Sequence, residues 1–326
     1  MFRTKNGGAN MKKSSALMLA GCLMTGGAHA SCGAAFCSVS NDWLTLTQGV
    51  TPGWRVWSQL EYLKQDQLRA GTEETTADEI SAHHEEVKTV NRNALLGLEY
   101  GLAPNWSAGL VLPYSNRDHL HIHNHHGTPI PEAWQFDEIG DMRLNLRFQP
   151  ADRQADDMSW SLQGGLKLPT GSTDIRNADG DEAERSVQPG SGTTDMLLAG
   201  GLAYAPLSFP GSLFSNLALQ LPLNEKDGYQ PGWRTSMQAG WLIPVYGKLD
   251  LILQGNLLYV AHDRGINAEP DDSGRTEVAL VPGLTYAWTR QLTVYGQVEL
   301  PVFQDVNGVQ LTHDYAVSAG ISLTLN

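Results

Sequence analysis

Apolar and polar side chains alternate with a period of two through most of this chain. Trp54, Val56, Leu60 and Tyr62 share one parity, and Arg55, Gln59 and Glu61 the other. The pattern returns at Val90, Ala94, Leu96, Leu98 and Tyr100 against Asn91, Asn93 and Glu99, and at Met142, Leu144, Leu146 and Phe148 against Asp141, Arg143, Asn145 and Arg147. Period two with one wet face specifies β-strand. A soluble sandwich alternates as well, so the connections must decide. Candidate strands fall near 53–64, 88–102, 106–115, 139–148, 158–169, 193–204, 212–223, 232–243, 249–261, 277–288, 291–302 and 315–325. Long polar connections (65–87, 116–138, 170–192, 262–276, 303–314) alternate with shorter ones such as Ala103-Pro104-Asn105, and 224–231 is intermediate. Sorting short turns to one end and long loops to the other is the pattern of an antiparallel up-and-down transmembrane β-barrel of the bacterial outer membrane, here with about twelve strands.

Aromatic placement agrees. Trp54, Tyr100, Trp106, Phe148, Trp160, Tyr204, Trp241, Tyr286 and Trp288 cluster beside the short turns, and Tyr62, Tyr114, Trp233, Tyr259 and Tyr315 lie towards the long loops. Amphipathic rings favour the headgroup level, so two girdles are expected. Leu-Pro pairs close four strands, at Leu112-Pro113, Leu168-Pro169, Leu221-Pro222 and Leu300-Pro301. Proline donates no ladder hydrogen bond and suits a rim. The uncharged stretch from Met196 to Asn224 is no spanning helix, because Pro206, Pro210 and Pro222 interrupt it. The apolar share of 41% is low for a soluble domain, as expected where half of every strand lines a polar lumen.

Residues 1–30 read as a secretory signal peptide: Met11-Lys12-Lys13 is basic, the following run is apolar but too short to span, and Ala28-His29-Ala30 is a small-x-small cleavage site. A lipoprotein box ending at Cys22 is the rival reading. Removing this segment deletes four cations and no anion, leaving 18 cations against 35 anions, a net charge of −17 that excludes nucleic acid as a partner. Residues 31–51 would then form a periplasmic extension or a plug, and 52–326 the barrel. Cys32 and Cys37 suggest a small disulfide loop, with a metal or redox pair as the alternative.

Four blocks carry a family likeness: Ile139-Gly140-Asp141-Met142-Arg143, Leu166-Lys167-Leu168-Pro169-Thr170-Gly171, Gln188-Pro189-Gly190-Ser191-Gly192-Thr193-Thr194-Asp195, and Leu300-Pro301-Val302-Phe303-Gln304-Asp305-Val306-Asn307-Gly308. In these blocks, and in order from about Trp54 onwards, the chain resembles the transporter-like outer-membrane barrels grouped under the phenol-degradation MetA-pathway name. The resemblance implies an outer-membrane location and solute passage, without making phenol the cargo. The chain departs from the usual pattern by ending Leu323-Thr324-Leu325-Asn326 rather than on an aromatic residue.

Inward parity places Arg55, Glu61, Glu99, Asp141, Arg143, Arg147, Lys167, Asp195, Arg234, Asp250 and Glu299 in the lumen. An interior of twelve strands is compatible with a narrow pore or with a closed, salt-bridged core. The pore is the preferred reading, and Arg143, Arg147, Lys167 and Arg234 would favour anionic groups. A His-rich stretch holds His119, His121, His123, His125 and His126, and the first long loop adds His83 and His84. Imidazole at this density suits zinc, copper or nickel, although no cofactor is required. The expected partners are outer-membrane lipid and lipopolysaccharide, a small-molecule solute, and a divalent metal. No G-x-S-x-G, HExxH, P-loop or dinucleotide fingerprint occurs, so no enzyme is expected. The alternative to a channel is a non-conducting metal-binding or structural protein of the cell surface.

Overall fold

The computed structural model describes residues 44, 49–50, 52–76, 84–125, 128–150, 158–206, 208 and 210–325. The expected signal segment and the Cys32–Cys37 pair lie outside the described residues, as do His83 and His126. Of residues 31–51, only Leu44, Gly49 and Val50 are described.

Among the described residues, thirteen strands form one antiparallel sheet: β1 (Gly53–Gly71), β2 (Glu73–Thr75), β3 (His84–Ala103), β4 (Trp106–His125), β5 (Thr128–Ile139), β6 (Arg143–Phe148), β7 (Met158–Lys167), β8 (Asp195–Tyr204), β9 (Ser212–Pro222), β10 (Arg234–Tyr246), β11 (Leu249–Val260), β12 (Arg275–Ala287) and β13 (Leu292–Leu325). Eleven of them close a barrel through pairing of β13 with β1, while β2 and β5 pair only with β1 and β4 outside the ring. Residues 293–306 of β13 run antiparallel to β12, and residues 306–325 run antiparallel to β1. The strand therefore reverses near Asn307-Gly308, where Gly308 has φ +61°, and the eleven strands make twelve legs.

Each of the twelve expected strands falls on one of these legs, and one expectation about the loops is corrected. Segments 65–71, 116–125, 128–138 and 303–312 are not loops but continuations of the ladder beyond the lipid band. The His-rich stretch belongs to β4, with His119 paired to Thr89 and Trp134, and His121 to Glu86 and Glu132. Outside the membrane the backbone groups of these segments still need partners, and neighbouring hairpins supply them.

The outer surface carries a continuous apolar band. Leu60, Leu162, Leu202, Leu217, Leu253 and Leu280 are 45–62% exposed, and large polar side chains point inward. The girdle rings touch one another: Trp54–Tyr100 and Trp106–Phe148 have centroids 4.8 Å apart, and Trp233–Tyr259 5.1 Å. Such a surface is stable only in lipid. The protein is a β-barrel of the Gram-negative outer membrane.

Within the bore, small residues make room for large ones. A Cβ on Gly97 would lie 2.0 Å from the Trp57 ring, and one on Gly240 2.4 Å from Phe214. At the end bearing the short turns, Phe214, Ile252, Tyr295 and Ala203 form a buried inward cluster that also holds Leu44. Leu44 is thus inside the bore, ahead of β1.

Candidate functional site

The β7–β8 connection, residues 168–194, folds inward over the bore instead of standing out from the rim. Residues 186–190 are buried without interruption. Ala183 and Val187 pack on Trp134 and Phe136 of β5. Arg117 on β4 donates from Nη1 to the Val187 carbonyl at 2.6 Å, and Trp134 Nε1 donates to the Asp181 carbonyl at 3.0 Å.

The base of this loop is fastened by a single carboxylate. Asp141 Oδ1 accepts the Gly171 N–H at 3.1 Å, and Oδ2 accepts the Ser191 N–H at 2.9 Å and the Ser191 hydroxyl at 2.7 Å. Thr170 Oγ1 donates to the Gly140 carbonyl at 3.0 Å and accepts Met142 N–H at 2.9 Å. Gly171 and Gly190 lie back to back: a Cβ on Gly171 would sit 2.7 Å from Gly190 Cα, and one on Gly190 2.3 Å from the Gly171 carbonyl oxygen. Three of the blocks that carry the family resemblance therefore converge on one structural knot. The fourth forms the β13 reversal, where Asn307 Nδ2 donates to the Asp271 carbonyl at 2.7 Å and Val309 N–H to Asp272 Oδ1 at 3.0 Å.

Beneath the loop lies a cavity of about 320 Å³, bordered by Arg55, Glu99, Arg143, Arg147, Arg234 and Glu299 among others. Three of the expected lumen cations are neutralised. Arg55 pairs with Glu99, which also lies 3.4 Å from Arg147 and accepts Ser107 Oγ at 2.6 Å. Lys167, which borders the smaller cavity under the loop, sits between Asp141 at 3.2 Å and Asp195 at 3.0 Å. Arg147 and Lys167 are thus spent on internal pairs. Arg143 and Arg234 differ: among the described residues neither has a carboxylate within 4.0 Å or a side-chain hydrogen bond. Both border the main cavity and the smaller one of about 40 Å³, so the two guanidiniums stand at the boundary between them.

The remaining sequence-derived lumen residues are also placed. Glu61 is 6% exposed and accepts Gln59 Nε2 at 2.6 Å. Asp250 keeps inward parity near the short-turn end, but it does not border the cavity. Sequence reasoning missed Trp57, an aromatic on the polar parity, and His313, placed in a supposed loop. Of the metal candidates, His119 and His121 are buried at 2% and 4% exposure with ring centroids 5.9 Å apart, both against Trp134. Thr89 Oγ1 lies 2.8 Å from His119 Nδ1, and Glu132 lies 3.2 Å from His121 Nε2. The side chains of His84, His123 and His125 lie outside the described residues.

Solved structures share this architecture. The chain is similar to the COG4313 outer membrane channel from Pseudomonas putida F1, with a TM-score of 0.65 and 10% identity over 88% of this chain and 100% of that one. Weaker likeness extends to the TodX ΔS2S3 monoaromatic hydrocarbon channel (TM-score 0.45, 10% identity, 89% of this chain and 95% of that one). It also extends to the translocator domain of the autotransporter NalP from Neisseria meningitidis (TM-score 0.44, 10% identity, 86% and 92%). No protein-family model matches the sequence, and no curated protein matches it. At 10% identity, the first of these likenesses speaks for the fold and not for the cargo.

Proposed function

We propose that this barrel is an outer-membrane channel for passive passage of small polar solutes, favouring those that carry an anionic group. One observation supports this reading above the others: Arg143 and Arg234 present guanidiniums without a close carboxylate partner to a cavity of about 320 Å³, with Asp195, Glu61 and Asp141 acting on Arg143, and Asp263 on Arg234, only at longer range. Guanidinium is always charged and matches carboxylate and phosphate in a fork geometry, so a pair of them attracts such groups. Arg143 on β6 lies six steps round the ring from Glu277 on β12, which sets a cation and a carboxylate on opposite walls of the cavity. A transverse field of this kind orients a dipolar solute and sets selectivity without tight binding. The reading is one of passage rather than catalysis, and membership of the phenol-degradation MetA-pathway-like barrels is part of the same proposal.

The test is a planar bilayer with a potassium chloride gradient. Discrete conductance steps with a reversal potential on the anion side are expected. Replacing both arginines by glutamine shifts that potential towards the cation side. A barrel that never conducts, or whose selectivity ignores the double substitution, refutes the proposal.

A second reading rests on His119, His121 and Glu132, which bring two imidazoles and a carboxylate together on one face of the β4–β5 hairpin. Here the hairpin binds zinc, copper or nickel. Metal titration of the wild type against a His119→Ala/His121→Ala variant tests it.

A further inference from the structure

We propose that Glu277, Glu299 and His313 form a site for one divalent transition-metal ion of the zinc type in the wall of the bore. The three side chains come from three consecutive legs: β12, the outgoing half of β13 and its returning half. No sequence motif joins them; barrel closure does. One ligand atom from each lies within 4.8 Å of the others.

The distances point to a bridging ion rather than to hydrogen bonds. His313 Nε2 lies 3.7 Å from Glu277 Oε1 and 3.7 Å from Glu299 Oε1. Both separations exceed the roughly 3.2 Å limit of an N–H···O bond. The His313 side chain is 5% exposed, and among the described residues its Nε2 has no hydrogen-bond partner. An imidazolium would approach one carboxylate and donate to it, whereas this ring stands midway between two. An ion about 2.1 Å from each ligand atom holds those atoms about 3.4–3.7 Å apart for angles between tetrahedral and trigonal.

The surroundings orient the ligands. Asn256 Nδ2 donates to Glu299 Oε2 at 2.8 Å, leaving Oε1 directed at the imidazole, and Gln304 Nε2 stands 3.5 Å from Glu277 Oε2. The same Gln304 amide donates to the His313 carbonyl at 3.2 Å. Outer-sphere amides of this kind fix ligand direction in metal sites. Charge agrees as well: two carboxylates and a neutral imidazole balance a dication. Among the described residues no Lys or Arg nitrogen lies within 4.0 Å of either carboxylate. Glu277 and Glu299 both border the cavity, so a fourth coordination position would open onto the bore, as in sites that exchange a ligand.

This site is separate from the β4–β5 hairpin, and its occupancy does not depend on whether the bore conducts. The test uses the full chain, folded in detergent and stripped of metal, with His119→Ala/His121→Ala as the background that removes the hairpin site. Competition with a chromophoric zinc chelator reads the affinity. The background protein is expected to hold one zinc equivalent. Glu277→Gln, Glu299→Gln and His313→Gln should each weaken binding by at least about tenfold, while His313→Cys, which keeps a ligand, retains it. Heat-dependent gel migration establishes that each variant is folded. Absence of zinc binding in the background protein, or binding undiminished by the Gln substitutions, overturns the proposal.

Discussion

Replacing Asp141 by alanine should release the inward loop while leaving the barrel intact. The carboxylate accepts two backbone N–H groups, from Gly171 and Ser191, on opposite ends of that loop. A hydrogen bond to a charged group contributes about 1.5–3 kcal/mol, so losing both weakens docking by about 3–6 kcal/mol. That corresponds to about two to four orders of magnitude in the ratio of docked to undocked loop. The charge on Lys167 does not raise this figure much, because Asp195 remains 3.0 Å away and keeps it paired. No ladder hydrogen bond passes through Asp141, which precedes β6, so the sheet should be unaffected. Amide hydrogen exchange resolves the two effects. In the variant, residues 170–192 are expected to exchange at least about a hundredfold faster, while β7 and β8 keep their protection. Unchanged protection at Gly171 and Ser191 would refute the idea that this carboxylate fastens the loop.

Leu217 lies at the centre of β9 and is 57% exposed on the apolar band, so Leu217→Arg should destabilise the barrel by about 2–4 kcal/mol in a vesicle folding titration. A variant that folds like the wild type would place that face away from lipid. Gly97→Ala puts a methyl into the Trp57 ring and should cost about 1–3 kcal/mol, an effect that disappears in a Trp57→Ala background. Persistence of the loss in that background points to another cause. In the connections 168–194 and 261–274, which together cap the long-loop end of the barrel, burial and then the Asp272 and Asp263 carboxylates raise Glu269 to about 7. Burial and then Glu269 and Glu86 hold Glu184 well above its usual range. The folded cap thus keeps protons that an unfolded one releases above about pH 4.5, so this contribution to stability is lost as pH rises from there through 7. His119, lowered to about 3 by burial and then by His121, acts in the opposite sense and loses its contribution as pH falls below about 6.5. Exchange protection of residues 168–194 and 261–274 should therefore pass through a maximum between these limits, and a monotonic profile argues against the paired effects.

How far the structure is legible in the sequence follows from where each residue meets lipid. Between the girdles a strand has one apolar and one wet face, and the alternation from Trp54 to Tyr62 or from Met142 to Phe148 records both directly. Beyond the girdles that contrast vanishes. Residues 116–125 and 303–312 carry polar side chains on both parities and look like loops, although their backbones remain paired. His313 and its two carboxylates were hidden for that reason, since the alternation that would have aimed the imidazole inward stops short of it. Compensation of charge in the bore depends on a different quantity, the cross-strand register. Parity alone makes Arg143, Arg147, Lys167 and Arg234 equivalent. Register separates them: Arg55 lies opposite Glu99 and Lys167 opposite Asp195, whereas Arg143 faces Val111 and Lys167, and Arg234 faces Gln220 and Val260. Directly opposed residues on one face of a sheet interact most strongly, which accounts for Arg55 and Lys167, whereas Arg147, opposite Ser107 and Gln163, reaches Glu99 on a strand further round and is not resolved by register alone. Short turns such as Pro104-Asn105 and Gly247-Lys248 fix that register locally, so a directly opposed pair such as Lys167 and Asp195 is deducible once the hairpins are aligned, whereas a diagonal pair such as Arg147 and Glu99 needs the closed barrel.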